Sequence, residues 1–445
     1  MTFNSDVLLS RLRAMTSADP PRRWLVAFSG GIDSTVLLHA LGNSREQLEQ
    51  QVIAVHIDHG LAPDSAGWEA HCQAFAEKLG VEYVSRKVAV VDAAGEGPEA
   101  AARQARYAAL RQIVQQGDCL LSAHHEDDQA ETLLLNLMRG SGLAGMAGIG
   151  ATRKFSGGRL LRPLLGIPLA AIQDYATRHE LSWIEDPSNA DVRFDRNFLR
   201  HEILPKLASR WPAVSARLKQ SADLAGEGSE LLNDLADLDL AEIGSPQRLS
   251  IATLAKLSLP RQRNVLRRAI RRCSLPPAPA TRLYQVVHEL LPARPDAQPM
   301  VTWPGAELRR YRQHLYVLPE MSVTDGAAGQ LLSVSGEMLE LGPAMGCLVM
   351  RKATTAGIDP QITQQGLQVR YRQGGEAIRL AERDCTHKLK KLLQQEGVLP
   401  WMRARLPLLY AGDRLIAVAD LWVAADCIAT PGYVINWQER PALFA

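Results

Sequence analysis

The first two hundred residues predict a doubly wound α/β domain with a mostly parallel sheet, on three observations. Short β-rich runs alternate with helical patterns of crossover length. The runs LVAF (25–28) and VIAV (52–55) are apolar throughout, as strands covered on both faces are. The first run also passes through two glycines straight into a helical pattern.

The strands expected in order are Trp24–Phe28, Val52–Ile57, Glu82–Val88 and Cys119–Ala123, with Trp183–Glu185 as a shorter candidate. Helical spacing between them marks Ser34–Leu41, Ser65–Leu79, Pro98–Gln116 and Asp127–Met138. The texture changes after Trp211. Ser221–Ile243 carries seven acids and no base, with leucines at helical spacing, which predicts one amphipathic helix. Arg261–Arg272 holds six arginines and no acid; it is either a basic patch or the partner of that acidic helix. Thr324–Gln330 is rich in Gly and Ala and reads as a linker. Beyond it come strand-like runs at Leu367–Tyr371, Leu415–Val418 and Tyr433–Trp437, and a helix at His387–Gln395. The expected architecture is a Rossmann-like domain over 1–214, a helical middle domain over 215–320 and a small mixed α+β domain over 345–445.

Composition agrees with several packed cores. The chain has 445 residues with 46% hydrophobic and 22% charged, an ordinary globular mix that excludes bulk disorder. Fifty Lys plus Arg against 48 Asp plus Glu give +2, which excludes a strongly basic coat protein. That small total is a cancellation: Arg370–Arg414 contains ten bases and five acids, interleaved with Tyr371, Trp401 and Tyr410. A basic surface with aromatics suits RNA, although the same pattern also describes a solvated face over core aromatics. The six cysteines are scattered with no CxxC, and no apolar window reaches membrane-span length. A cytoplasmic enzyme with no membrane contact is the expectation.

The most informative stretch is WLVAFSGGIDSTVLLHAL (24–41). Two glycines permit a tight turn and close approach by a ligand, and the helix that follows offers unpaired N–H groups to an anion. Ser29 and Ser34 can add hydroxyl donors, and Asp33 can hold Mg²⁺ beside a phosphate. There is neither GxxxxGK[ST] nor GxGxxG. The loop resembles the SGGxDS loop of the PP-loop, N-type ATP pyrophosphatase family. That resemblance implies an ATP site at Ser29, Gly30, Gly31, Ile32, Asp33 and Ser34, and transfer of AMP with release of pyrophosphate.

Four further stretches follow. VIAVHIDHGL (52–61) ends in His56, Asp58 and His59. GPEAAARQARYAAL (97–110) sets Glu99, Arg103 and Arg106 at helical spacing. AHHEDDQAETLLLNLMRGSGLAGM (123–146) brings Asp128 and Glu131 side by side on one helix. IEDPSN (184–189) precedes FDRNFLRHEILP (194–205). The acid pair could hold Mg²⁺, bind an ammonium, or complement the helix dipole.

In order and spacing these stretches, with KLKKLLQQEGVLPWMRARLPLLY (388–410), resemble the tRNA(Ile)-lysidine synthetase family. The resemblance implies ATP-dependent ligation of free L-lysine to C2 of the wobble cytidine in a tRNA(Ile) with anticodon CAU. It assigns catalysis to Asp33, Asp128 and Glu131, lysine binding to Asp128 and Glu131, and metal contact to Asp33 and Asp128. It assigns tRNA contact to Arg103, Arg106, Arg196, Asn197, Arg200, Lys388, Lys390, Lys391 and Arg403. For Arg196, Asn197 and Arg200 a local structural role is the competing reading. A homodimer is left open. A thiolase with the same loop would relay sulfur through paired cysteines, which this pattern does not offer.

Overall fold

The computed structural model describes all residues except 1, 61–64, 91–97, 295–296, 298, 321–328, 334–335, 337, 343–344, 365, 384 and 445, and the side chains of 98–100. The expected linker therefore lies largely outside the described residues, as do Leu61, the last residue of VIAVHIDHGL, and the Glu99 side chain. The chain divides into two compact units, Met1–Leu231 and Leu232–Ala445.

The first unit runs α1 (Ser5–Thr16), β1 (Arg23–Ala27), α2 (Ile32–Gly42), β2 (Gln51–Asp58), α3 (Ser65–Lys78), β3 (Glu82–Lys87), α4 (Pro98–Ile113), β4 (Cys119–Leu121) and α5 (Glu126–Met138). It continues with α6 (Leu143–Met146), β5 (Thr152–Phe155), β6 (Gly158–Leu161), α7 (Leu169–Arg178), α8 (Asp195–Phe198), α9 (Leu204–Arg210) and the first part of α10 (Val214–Ile243). Its sheet has the order β3-β2-β1-β4-β6-β5, parallel apart from the β5–β6 hairpin. The chain steps outward from β1 to β3, then returns to β4 on the other side of β1. The carboxyl ends of β1 and β4 thus border a topological switch point, where such sheets bind ligands.

Alternation along β1 explains why its run is apolar throughout. Trp24 and Val26 pack with Phe28 against Leu37, Leu41, Ile172 and Tyr175 on the face of α2 and α7. Leu25 faces the other way, into Ile53, Leu120 and Leu160 under Leu110 of α4 and Val114 just beyond it. Both faces are dry, so truncating a residue such as Leu37 to Ala costs about 2–5 kcal/mol. The β5–β6 hairpin escapes the sequence pattern because its glycine turn and charged edge strand lack an apolar run. Trp183–Glu185 forms no strand; instead the Ile184 N–H donates to the Gly30 carbonyl at 2.9 Å.

The second unit takes up the end of α10 and a short ribbon of Gly244–Ser245 and Arg248–Ser250, continues with helices Leu259–Arg272 and Ala280–Gln285, and adds a meander that helical spacing does not predict. Met300–Trp303, Ala306–Tyr311 and His314–Pro319 are its main antiparallel strands. The arginines of Leu259–Arg272 pair with the acidic helix: Arg261 with Asp239, Arg268 Nε with Asp237 at 2.9 Å, and Arg272 with Asp237 at 3.1 Å. Two further antiparallel sheets of five strands follow, around a core that includes Leu348, Val369, Leu392, Leu409 and Ile435. No helix among the described residues is long and apolar enough to cross a membrane.

Candidate active site

The turn after β1 is built for an anion. Gly30 has φ +84°, and a Cβ there would stand 2.5 Å from Ile184 Cδ1 and 2.8 Å from Cys72 Sγ. Only glycine fits both the dihedral and the space. Gly31 caps α2 without a side chain, so among the described residues no side-chain cap serves the first N–H groups of that helix. The two hydroxyls brace the turn: Ser34 Oγ donates to the Gly31 carbonyl at 3.0 Å and lies 3.1 Å from Ser29 Oγ. Ile32, the first residue of α2, packs its side chain against the core.

Asp33 stands on the first turn of α2, with Oδ2 3.7 Å from His125 Nε2. Its Oδ1 is buried with no hydrogen-bond partner among the described residues. Burial holds its carboxyl above the usual range; Asp128 and Glu131 push the same way, while His125 and Arg200 oppose.

Across the switch point, α5 supplies the acid pair. Asp128 Oδ2 accepts the His125 backbone N–H at 2.9 Å, which caps the helix. Its Oδ1 accepts Arg196 Nη2 at 2.7 Å and Arg200 Nη2 at 3.2 Å. Glu131 accepts Arg196 Nε and Arg200 Nε at 2.6 Å each, one on either oxygen. Burial pushes Asp128 up, yet His125, Arg196, His124 and the His125 N–H outweigh it and leave the carboxyl low. Arg200 belongs to a π turn, Leu199–Ile203, between α8 and α9, a local irregularity often found at functional sites. Asp127 is structural: it accepts the Leu169 N–H at 3.2 Å and the Ser215 hydroxyl.

The histidines divide by environment. His124 Nδ1 meets Ser122 Oγ at 2.8 Å. Burial holds His124 down at about 3, with Arg162, Arg196 and Arg103 adding and Asp128 opposing, so it is neutral at physiological pH. His56 spends Nδ1 on the Phe28 carbonyl at 2.9 Å and stacks on Tyr83. His59 has a buried Nδ1 with no partner among the described residues, and burial and Arg106 lower its pKa.

Three family models match the chain: a PP-loop domain over residues 5–207, the TilS substrate binding domain over 249–316 and the TilS substrate C-terminal domain over 367–437. It is 42% identical over 436 residues to the tRNA(Ile)-lysidine synthase of Alkalilimnicola ehrlichii, covering 96% of each chain. The chain belongs to the tRNA(Ile)-lysidine synthase family. Relatives in Coxiella burnetii (40% identity, 94% of this chain and 92% of that one) and Pseudomonas aeruginosa (40%, 93% of each) carry the same name.

In this lysidine synthase relative the residues expected at the site fall into two groups. Ser29–Ser34, Asp33, His125, Asp128, Glu131, Arg196 and Arg200 gather at the switch point. Arg196 and Arg200 face the acid pair, and Asn197 spends its amide on the Ser188 and Asp191 carbonyls at 2.9 and 3.0 Å. Arg103 and Arg106 are exposed on α4. In the second unit Lys388, Lys390 and Lys391 are exposed around the start of Leu389–Gln395, whose leucines turn inward. Arg403 donates through Nε to the Val398 carbonyl at 2.8 Å. The expected aromatic platform is not formed by Trp401, which is 7% exposed and packs edge-on against Tyr311 and Tyr316. Apolar burial outcompetes base stacking at that position. Sequence reasoning misses Tyr107, Arg153 and Arg162; Arg162 follows a parallel strand, and recognising β6 would have exposed it.

Proposed function

We propose that this chain joins L-lysine to C2 of the wobble cytidine of a tRNA(Ile) with anticodon CAU, splitting ATP to AMP and pyrophosphate. The observation that carries the proposal is the juxtaposition, at one switch point, of a loop with free helix N–H donors and a buried acid pair that can receive an ammonium. The cytidine O2 attacks the α-phosphate of ATP and pyrophosphate leaves. The lysine Nε, as its neutral amine, then attacks C2, the C2–O2 bond breaks, O2 departs with AMP, and the nitrogen releases a proton to solvent. Adenylation has to come first, because a urea-like carbonyl oxygen is a poor leaving group.

The chain's own residues have distinct parts in this scheme. The N–H groups at the start of α2, with Ser29 and Ser34, grip the pyrophosphate end of ATP. Asp128 and Glu131 bind the lysine ammonium, for which at least one arginine contact has to give way. Arg200, with its side chain 33% exposed against 23% for Arg196, is the one placed to yield. Neutral His124 stays an acceptor in a site crowded with guanidiniums.

Mg²⁺ fits Asp33, whose buried Oδ1 lacks a partner, better than Asp128, whose oxygens are taken by Arg196, Arg200 and the His125 N–H. Among the described residues no three His, Cys, Asp or Glu side chains are grouped to hold an ion alone. The remaining contacts would come from ATP and water. When bound, the ion would neutralise phosphate charge as AMP is transferred.

Incubating the protein with ATP, labelled lysine and a CAU-bearing tRNA(Ile) tests the proposal. Label should enter the RNA, with AMP and pyrophosphate released. ATP cleavage without label in RNA would overturn it.

A further inference from the structure

The carboxyl end of β4 has a second charged neighbour, apart from the acid pair and the phosphate loop. Arg162 follows directly on β6 and is only 6% exposed. Its Nη1 donates to the Gly150 carbonyl at 2.5 Å and its guanidinium meets the Tyr107 hydroxyl. Its Nε is buried with no hydrogen-bond partner among the described residues. Arg153, on β5, holds its guanidinium 4.9 Å from the centre of the Tyr107 ring, and Arg103 of α4 stands 5.7 Å from that ring. Strand alternation explains the delivery: Arg153 and Phe155 share a face, and Phe155 packs into the core beneath α4.

Among the described residues no carboxylate pairs with Arg103, Arg153 or Arg162. Three guanidiniums around one phenol repel each other, and a bound anion would relieve that repulsion. Leu161, just before Arg162, accepts the Ser122 N–H at 3.0 Å, and Ser122 Oγ meets His124 Nδ1 at 2.8 Å, which ties the group to the same switch point. The planar forks of arginine match phosphate oxygens in pairs. The ATP loop belongs to α2, which packs on the opposite face of the sheet from α4. The phosphates of ATP already have their seat there.

We propose that Arg103, Arg153 and Arg162 form a binding site for a backbone phosphodiester of the RNA strand beside the nucleotide being modified. The inference rests on the tRNA reading above. It adds Arg153 and Arg162 to the RNA path and assigns them one phosphate, not a base.

The test uses the full chain with Arg153→Gln and Arg153→Lys, Arg153 being exposed enough to replace without disturbing the core. Affinity for tRNA(Ile) is measured over a range of salt, and ATP affinity separately without RNA. Arg153→Gln should weaken tRNA binding about 3–10-fold at low salt and reduce the log–log salt slope by roughly 0.7–0.9, one phosphate contact. Arg153→Lys should restore the slope, and ATP affinity should not move. An unchanged slope, even with weaker binding, would mean that Arg153 only packs on Tyr107, and would overturn the site. Loss of ATP affinity instead would assign the anion to ATP and overturn it equally. The slope reads binding alone, so wild-type protein that binds tRNA but transfers no lysine would sink the functional reading and leave the Arg153 result standing.

Discussion

Glu131 and Arg200 meet at 2.6 Å between Oε1 and Nε, and the other carboxylate oxygen of Glu131 is claimed at the same distance by Arg196. Glu131 is fully buried, so its charge is balanced only inside this network. Removing one member of a buried network leaves the rest uncompensated, at a cost of about 3–5 kcal/mol. Glu131→Gln should therefore lower the unfolding free energy by that order in a denaturant titration and abolish lysine incorporation. A variant of unchanged stability would mean that the network does not persist in solution.

If Arg200 occupies the seat of the lysine ammonium, Arg200→Gln should tighten lysine binding measured by calorimetry without tRNA. Weaker lysine binding would show that Arg200 orients the carboxylates rather than competing for them.

Asp128→Asn keeps the volume of the side chain and removes its charge. It should leave tRNA affinity within about twofold while lysine transfer is lost, since α4 and the lysines near Leu389 are untouched. Normal transfer by this variant would remove Asp128 from the lysine site.

Gly30→Ala combines a positive φ with a 2.5 Å clash against Ile184 Cδ1. Strain of this kind costs about 1–3 kcal/mol, and the loop carbonyl that accepts the Ile184 N–H would shift with it. ATP binding, followed by fluorescence or calorimetry, should fall at least tenfold. Retained affinity would show that the turn tolerates the displacement.

His124 sets an acid limit on stability. Its folded pKa is lowered from 6.5 to about 3, so between those values the unfolded chain binds more protons than the folded one. Stability from this group is fully present above about 6.5 and declines as pH falls toward 3. His124→Asn should flatten the fall in Tm between pH 7 and pH 4.5. An unaltered slope would relocate the acid sensitivity to other groups.

The parallel core and its loop were legible because the signals are local: apolar runs for two-faced strands, and glycines where a turn must reach α2. The pairing of Arg261, Arg268 and Arg272 with the acidic helix was legible as one of two readings, because the opposed charges lie on neighbouring helical stretches. What the sequence hid depends on tertiary placement. Nothing local says that the guanidiniums of Arg196 and Arg200 turn inward to Glu131 across more than sixty residues. The β5–β6 hairpin is short and charged, so Arg153 and Arg162 stayed out of view together with the strands that place them. Trp401 reads as a stacking platform in a basic stretch until its burial beside Tyr316 is seen.

The floor under Gly30 also bears on how related chains can diverge. Cys72 Sγ and Ile184 Cδ1 together fill the space where a side chain at position 30 would begin. Three positions far apart in sequence thus share one small volume, and a change at one constrains the others. Among relatives, a larger residue at position 72 should come with a smaller one at 184, while position 30 stays glycine. An alignment in which 72 and 184 enlarge together would show that the loop is free to drift over the sheet as lineages separate.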